Sequence, residues 1–359
     1  MRPGGTGLFF NGTSWICECV QNLMHVYYGT SCENLLAPPP PSPLPPRATY
    51  TTIDLAYENW CGYSMVYIED RDQFFLSGGY TCATMSSSSS GRLKRAALVD
   101  LTTGESTAVA DMPAEHGAHE VMYYDGKVYN IAGQKYGVDV CTTKVEIYDL
   151  QTDVWSSGPD SPASYGGLTC VVEYANMVCA GGYILNVFQA KAFSMDLSAS
   201  ELKWVTLPSI GGSRVAHGMA SANGYIYVIA GYCAHGCYSN TVEVLDLSDP
   251  TLWLMTTSTN NLPDSRYNPT ATSVNGKNYV IGGYSRNGEY SSYLVGDATY
   301  PSTSSWETVD YVGPSEWASS VLRYSYISKF TGMTVAYTKT TSSLAFFSVS
   351  NVKCIATAK

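Results

Sequence analysis

One ten-residue pattern returns five times in this 359-residue chain, and it limits the fold more than any other feature. The copies read "RDQFFLSGGY" (71–80), "DGKVYNIAGQ" (125–134), "YANMVCAGGY" (174–183), "NGYIYVIAGY" (223–232) and "NGKNYVIGGY" (275–284). Their last glycines are Gly79, Gly133, Gly182, Gly231 and Gly283, at spacings of 54, 49, 49 and 52 residues. Seven residues earlier stands a turn residue: Asp72, Gly126, Ala175, Gly224 or Gly276. Three of these turns are Asp-Gly or Asn-Gly, the strongest short hairpin signal. In four copies a tryptophan follows the glycine by 22 or 23 residues, at Trp155, Trp204, Trp253 and Trp306. In between, an apolar run closes on Asp-Leu at Asp100, Asp149, Asp196 and Asp246. Each unit therefore holds four short strands, with alternation such as Val242-Glu243-Val244-Leu245-Asp246 marking strands packed face to face.

A period near 50 residues with four strands per unit implies an all-β propeller blade. The composition agrees: 29 Tyr and 32 Gly with only 14% charged residues favour strands and tight turns over helices. The glycine pair, spaced tyrosine and tryptophan resemble the kelch repeat over about residues 60 to 350. A degenerate sixth unit is expected from "YSYISKFTGMTVAYTK" (324–339) and "LAFFSV" (344–349), with its fourth strand supplied by "TYTTIDL" (49–55). That exchange would close the ring and remove exposed strand edges. The expectation is six blades, with seven as the alternative if the chain is truncated.

Residues 38–46, "PPPPSPLPP", form a stiff polyproline spacer between a small head and this body. The run resembles hydroxyproline-rich spacers of algal and plant surface glycoproteins. The head, "CECVQNLMHVYYGTSCE" (17–33), resembles the second half of an EGF-like module, which implies a Cys19–Cys32 bridge and leaves Cys17 for a missing upstream cysteine. The division is then 1–35, a partial EGF-like module; 36–47, the linker; and 48–359, the propeller. This domain order resembles attractin-like ectodomains. Eleven cysteines point to an oxidising compartment. Cys170 and Cys179 fall opposite each other in a hairpin. Cys82 and Cys141 occupy equivalent loops of neighbouring blades, and Cys61 and Cys354 lie near the ends of the ring. Cys233 and Cys237 remain, read as a local staple, with a metal site through His235 as the weaker alternative. Asn11 opens the one glycosylation sequon not blocked by proline. With no signal peptide at Met1, the chain is expected to be a piece of a longer extracellular or cell-surface protein.

The net charge of −10 argues against nucleic-acid partners, and no apolar run is long enough to span a membrane as a helix. The basic cluster Arg92-Leu93-Lys94-Arg95 is expected in a solvated loop. His119 and His217 share one register at the start of the innermost strand, and His116, Tyr165, Arg214 and Arg266 share the register three residues earlier. These six are expected either to satisfy strand ends or to ring a channel mouth, where Arg214 and Arg266 would donate to an acidic or hydroxyl-bearing ligand and Tyr165 would stack on it. Galactose oxidase and related copper radical oxidases share a kelch-like propeller, a resemblance that would make His119 and His217 two copper ligands; the cysteines, however, look committed to bridges. The leading expectation is a binding protein with a protein or glycan partner, no cofactor and no catalytic residue. A self-assembling surface fibre or wall subunit is the second reading, and a copper oxidase the third.

Overall fold

The structure is a computed structural model. It describes residues 49–81, 92–136, 140–234, 236–255, 260–274, 276–290, 292–298 and 306–310, and the backbone of strands Leu8–Phe10, Trp15–Cys17, Ser325–Ile327, Met333–Tyr337 and Ser343–Ser348. Two compact units are present, one of residues 48–349 and one of residues 1–47 with 350–359. In the latter, Leu8–Phe10 pairs antiparallel with Trp15–Cys17. Asn11, Cys19, Cys32, the proline run, Cys82, His235 and Cys354, as well as the side chain of Cys61, lie outside the described residues, and with them the expected Cys19–Cys32, Cys82–Cys141 and Cys61–Cys354 bridges.

In the larger unit, five sheets run in strict chain order, each a four-stranded antiparallel meander. The first sheet comprises Ser64–Ile68, Gln73–Ser77, Ala96–Asp100 and Ser106–Ala108. The second comprises Glu120–Tyr124, Lys127–Ile131, Val145–Asp149 and Val154–Ser157, and the third Thr169–Glu173, Asn176–Ala180, Ala192–Asp196 and Trp204–Leu207. The fourth holds Gly218–Ala222, Tyr225–Ile229, Val242–Asp246 and Trp253–Met255, and the fifth Thr270–Val274, Lys277–Ile281, Ser292–Asp297 and Glu307–Asp310. A further sheet joins the two ends of the unit. Thr49–Asp54 pairs with Ser343–Ser348, Thr49 opposite Ser348, and Met333–Tyr337 and Ser325–Ile327 follow. The first strands of successive sheets adjoin one another around a common cavity.

Burial follows strand position. The second strands Asn176–Ala180 and Tyr225–Ile229 are buried from their second residue onward, whereas the fourth strand Val154–Ser157 is largely exposed. The core therefore lies between sheets. Val178 and Ala192 of the third sheet pack on Met219, Val228 and Leu245 of the fourth, and Tyr227 and Val244 of the fourth on Val280 and Leu294 of the fifth. Cys170 and Cys179 face each other in register and are joined by a disulfide inside this core.

Three polar devices recur and carry the repeat. The Asp of each Asp-Leu folds back onto its turn: Asp149 Oδ1 accepts the N–H groups of Gln151 and Thr152, each at 2.9 Å. Each tryptophan reaches the preceding sheet, its indole N–H donating to Ala110 O from Trp155 (2.7 Å), to Pro159 O from Trp204 (3.1 Å) and to Pro208 O from Trp253 (2.9 Å). The last glycine of the pair donates its N–H to the following sheet: Gly79 to His116 O, Gly133 to Tyr165 O, Gly182 to Arg214 O and Gly231 to Arg266 O, at 2.8–3.0 Å.

The glycines are obligatory on two counts. Gly231 has φ +102°, a conformation L side chains rarely adopt, and a Cβ there would stand 2.7 Å from His217 Cβ. Gly104 has φ +74° but open space around its Cβ position. Gly104→Ala is therefore expected to cost about 1–2 kcal/mol of left-handed strain alone. Gly231→Ala should cost clearly more, because strain and a clash with an inner strand add. Urea denaturation of the two variants measures the difference, and equal losses would show that the sheet junction tolerates a Cβ.

Candidate binding site at the cavity mouth

Antiparallel topology sorts the connections. Turns between first and second strands lie at one end of the cavity, while the loops after second strands and the chain crossings between sheets lie at the other. His116, Tyr165, Arg214 and Arg266 all sit at this second end, but none is turned toward solvent. Arg214 Nη1 donates to Ala230 O and Thr241 Oγ1, both at 3.1 Å, and Nη2 pairs with the fully buried Glu243, which also accepts the Gly211 N–H. Arg266 Nη1 donates to Gly282 O at 2.9 Å and Ser292 O at 3.1 Å, and its guanidinium lies 4.1 Å over the Tyr290 ring. His116 Nδ1 lies 2.8 Å from Ala132 O, and its Nε2 makes an off-line approach of 3.3 Å to Glu146. In all three, the side chain ends on the carbonyl sixteen residues ahead, the first residue of its own glycine pair, while the backbone carbonyl of Arg214 and Arg266 takes the glycine N–H of the previous sheet. These residues are joints between sheets. Tyr165 is buried against Phe193, where burial raises its phenol to about 12, so it offers no stacking surface.

His119 and His217 are likewise held inside the junctions. The His217 ring fills the space left by two missing Cβ atoms: a Cβ on Gly181 would lie 2.5 Å from its Cε1. Burial, then the Arg214 charge, push its imidazole down to about 3. His119 Nε2 meets Ser77 Oγ at 3.1 Å, and burial also lowers its basicity, reinforced by His116. The two histidines belong to the second and fourth sheets, each committed to its own glycine contacts, and they do not fit a shared copper ligand set. Among the described residues no group of three or more His, Cys, Asp or Glu side chains converges on a metal position.

Of the side chains that follow each Gly-Gly or Ala-Gly pair, Tyr80, Gln134 and Tyr183 line the cavity, and Tyr232 and Tyr284 hold the equivalent positions in their sheets, all but Gln134 half-buried. Gln134 is the hub. Its oxygen accepts from Tyr80 Oη (3.0 Å) and Arg92 Nη2 (2.7 Å), and its nitrogen donates to Tyr183 Oη at 2.5 Å. Arg92 is thus not in a solvated loop: its guanidinium lies 4.3 Å over the Tyr80 ring and is buried, and Lys94 and Arg95 are tied to Pro113 O and Glu58 O. The arc continues as touching rings. Phe188, Tyr238 and Tyr267 each pack on Tyr232 with centroids 5.5–5.9 Å apart, and Tyr267 packs on Tyr284 at 6.0 Å. Leu185 and Val187 beside Phe188 are 72% and 63% exposed. A Cys233–Cys237 disulfide closes the neighbouring loop, with Cα atoms 5.3 Å apart, and Arg286 donates to Gly236 O from the next sheet. Beneath lies a cavity of about 1110 Å³ walled by the first strands. The sequence carried a signal for this frame, tyrosine at four of five positions after the glycine, which reads equally well as part of the repeat.

Comparison with known proteins agrees with this architecture. A profile of the kelch motif matches residues 117–162 and 213–251. Kelch-like protein 22 of Homo sapiens is 32% identical over 71 residues, and that of Rattus norvegicus 31%. These matches span 20% of this chain and only 11% of the relatives' length. Among solved structures, that of YjhT superposes with a TM-score of 0.58 at 13% identity, covering 69% of this chain and 84% of YjhT. The 48–349 unit has the fold of a propeller of four-stranded meanders, and two of its segments match the kelch motif.

Two outcomes follow from the buried charges. Arg214→Met keeps bulk but strands Glu243, and is expected to cost about 3–5 kcal/mol in denaturant melts, with Arg214→Met/Glu243→Leu regaining most of it. His217 is neutral when folded and basic near 6.5 when unfolded, so its contribution is complete above pH 6.5 and lost as pH falls toward about 3. Unfolding free energy should therefore decline below about pH 6.5, before carboxylates titrate, and His217→Gln should flatten that slope. An unchanged slope in the variant would show that His217 protonates freely in the fold.

Proposed function

We propose that this protein is an extracellular or cell-surface binding module, a ring of six blades whose cavity mouth engages a protein partner. The observation that carries this reading is the aromatic arc. Phe188, Tyr232, Tyr238, Tyr267 and Tyr284 form a continuous, half-exposed surface, and the hydroxyls of Tyr232, Tyr238 and Tyr267 make no hydrogen bond among the described residues. Tyrosines supply large rigid contact area at small entropic cost, with a polar tip for orientation. The side chains of His116, His119, Arg214, His217 and Arg266, by contrast, are consumed by joints between sheets. The EGF-like head, the extracellular setting, glycosylation at Asn11 and the Cys61–Cys354 and Cys82–Cys141 bridges belong to the same proposal, supported by the cysteine-rich sequence. A glycan is the alternative partner, because tyrosine faces also stack on sugar rings.

Arrays of immobilised peptides and glycans, probed with the full chain, test the reading. Binding to peptides, weakened at least tenfold (about 1.4 kcal/mol) by Tyr267→Ala with an unchanged melting temperature, is the expected result. Binding confined to glycans would replace the protein partner, and binding indifferent to Tyr267 would move the site away from the mouth.

A further inference from the structure

The hydrogen-bonding character of the mouth narrows its occupant. Among the described residues its uncommitted polar groups include the phenol hydroxyls of Tyr232, Tyr238 and Tyr267, each of which can donate one bond and accept another. The Gln134 oxygen, the acceptor at its hub, is already taken by Tyr80 and Arg92. Carboxylates lining the cavity come mostly from turns at the opposite end, Glu69, Asp70 and Asp125, with Glu120 on the wall. A proline run needs donors alone: it lacks N–H groups and presents solvated carbonyls and flat apolar rings. Touching aromatic rings with free hydroxyls are the surface that polyproline segments dock on, and a preformed polyproline helix loses little entropy on docking.

The chain itself carries such a segment, seven prolines among the nine residues 38–46. Resting on the reading of the mouth as a binding site, we propose that the aromatic arc around Tyr232 and Tyr267 receives the Pro38–Pro46 segment of a second copy of this chain. At about 3.1 Å per residue the segment would extend roughly 28 Å, enough to cross several of the ring contacts in the arc. Only Arg47 and Ala48 separate it from Thr49, which begins the outermost strand of its sheet. Segment and mouth are different surfaces, so the contact is heterologous, and repeated without closing it produces open chains of molecules. Exposed Leu185 and Val187 supply apolar rim beside Phe188.

Sedimentation of the full chain over a concentration series tests the proposal together with a free peptide spanning Ala37–Arg47. Expected are concentration-dependent association, its loss when residues 38–46 are replaced by a Gly-Ser segment of equal length, and dissociation by the peptide. The peptide should also perturb tyrosine fluorescence saturably, with at least tenfold weaker binding to Tyr267→Ala and a smaller loss for Tyr267→Phe, which keeps the ring. Absence of peptide binding up to about 1 mM would overturn the proposal. If other array peptides then still bind through Tyr267, only the proline occupant fails and the mouth stands as a site. Peptide binding by a chain that stays monomeric at every concentration would overturn the second-copy assignment, and capture of glycans in place of the peptide would overturn both.

Discussion

Everything in the propeller unit depends on a place where the backbone must pass without a Cβ. At the end of each of the five second strands the chain turns through a Gly-Gly or Ala-Gly pair with positive φ, and in four of them the second N–H bonds to the next sheet across the junction. The missing side chains leave a slot. In two junctions a histidine ring, His119 or His217, fills it. A sheet alone would leave both faces of its second and third strands exposed, so no blade is stable in isolation, and the junction decides whether blades stack.

The junctions also explain the fate of the charged side chains. Burying Arg214 costs desolvation, which lowers its basicity, and Glu243 and two further acceptors offset that cost. Replacing the Arg at this register by His116 keeps the bond to the carbonyl sixteen residues ahead and brings Glu146 in the role of Glu243. Different side chains thus serve one geometric task. With Arg92, Arg214 and Arg266 committed to structure, the recognition proposed for the mouth would rest on aromatic surface and phenol hydroxyls.

The strands were legible because their signals are local. Asp125-Gly126 and Asn223-Gly224 demand positive φ at both residues, and both pairs adopt it. Cys170 and Cys179 could be matched because hairpin register follows from turn length. Arg92, Arg214 and Arg266 were not legible in the same way. Whether a cation faces water or a buried carbonyl depends on how far the neighbouring sheet approaches, and spacing along the chain holds no information on that distance. The Cys233–Cys237 pair falls between these cases: two sheet residues in register give a bridge locally, while the loop's proximity to Tyr232 and Arg286 arises from the neighbouring blades.

By itself, then, the sequence determined the blade: four strands, their turns, the glycine pair and the tryptophan, all set by periodicity two and by backbone angles that a few residue types permit. Only the tertiary structure decided which side chains meet solvent at the mouth. Sheets pack to van der Waals contact, and that packing draws the long polar side chains of one register into the junctions and leaves the side chains of Tyr80, Gln134 and Tyr183 lining the opening.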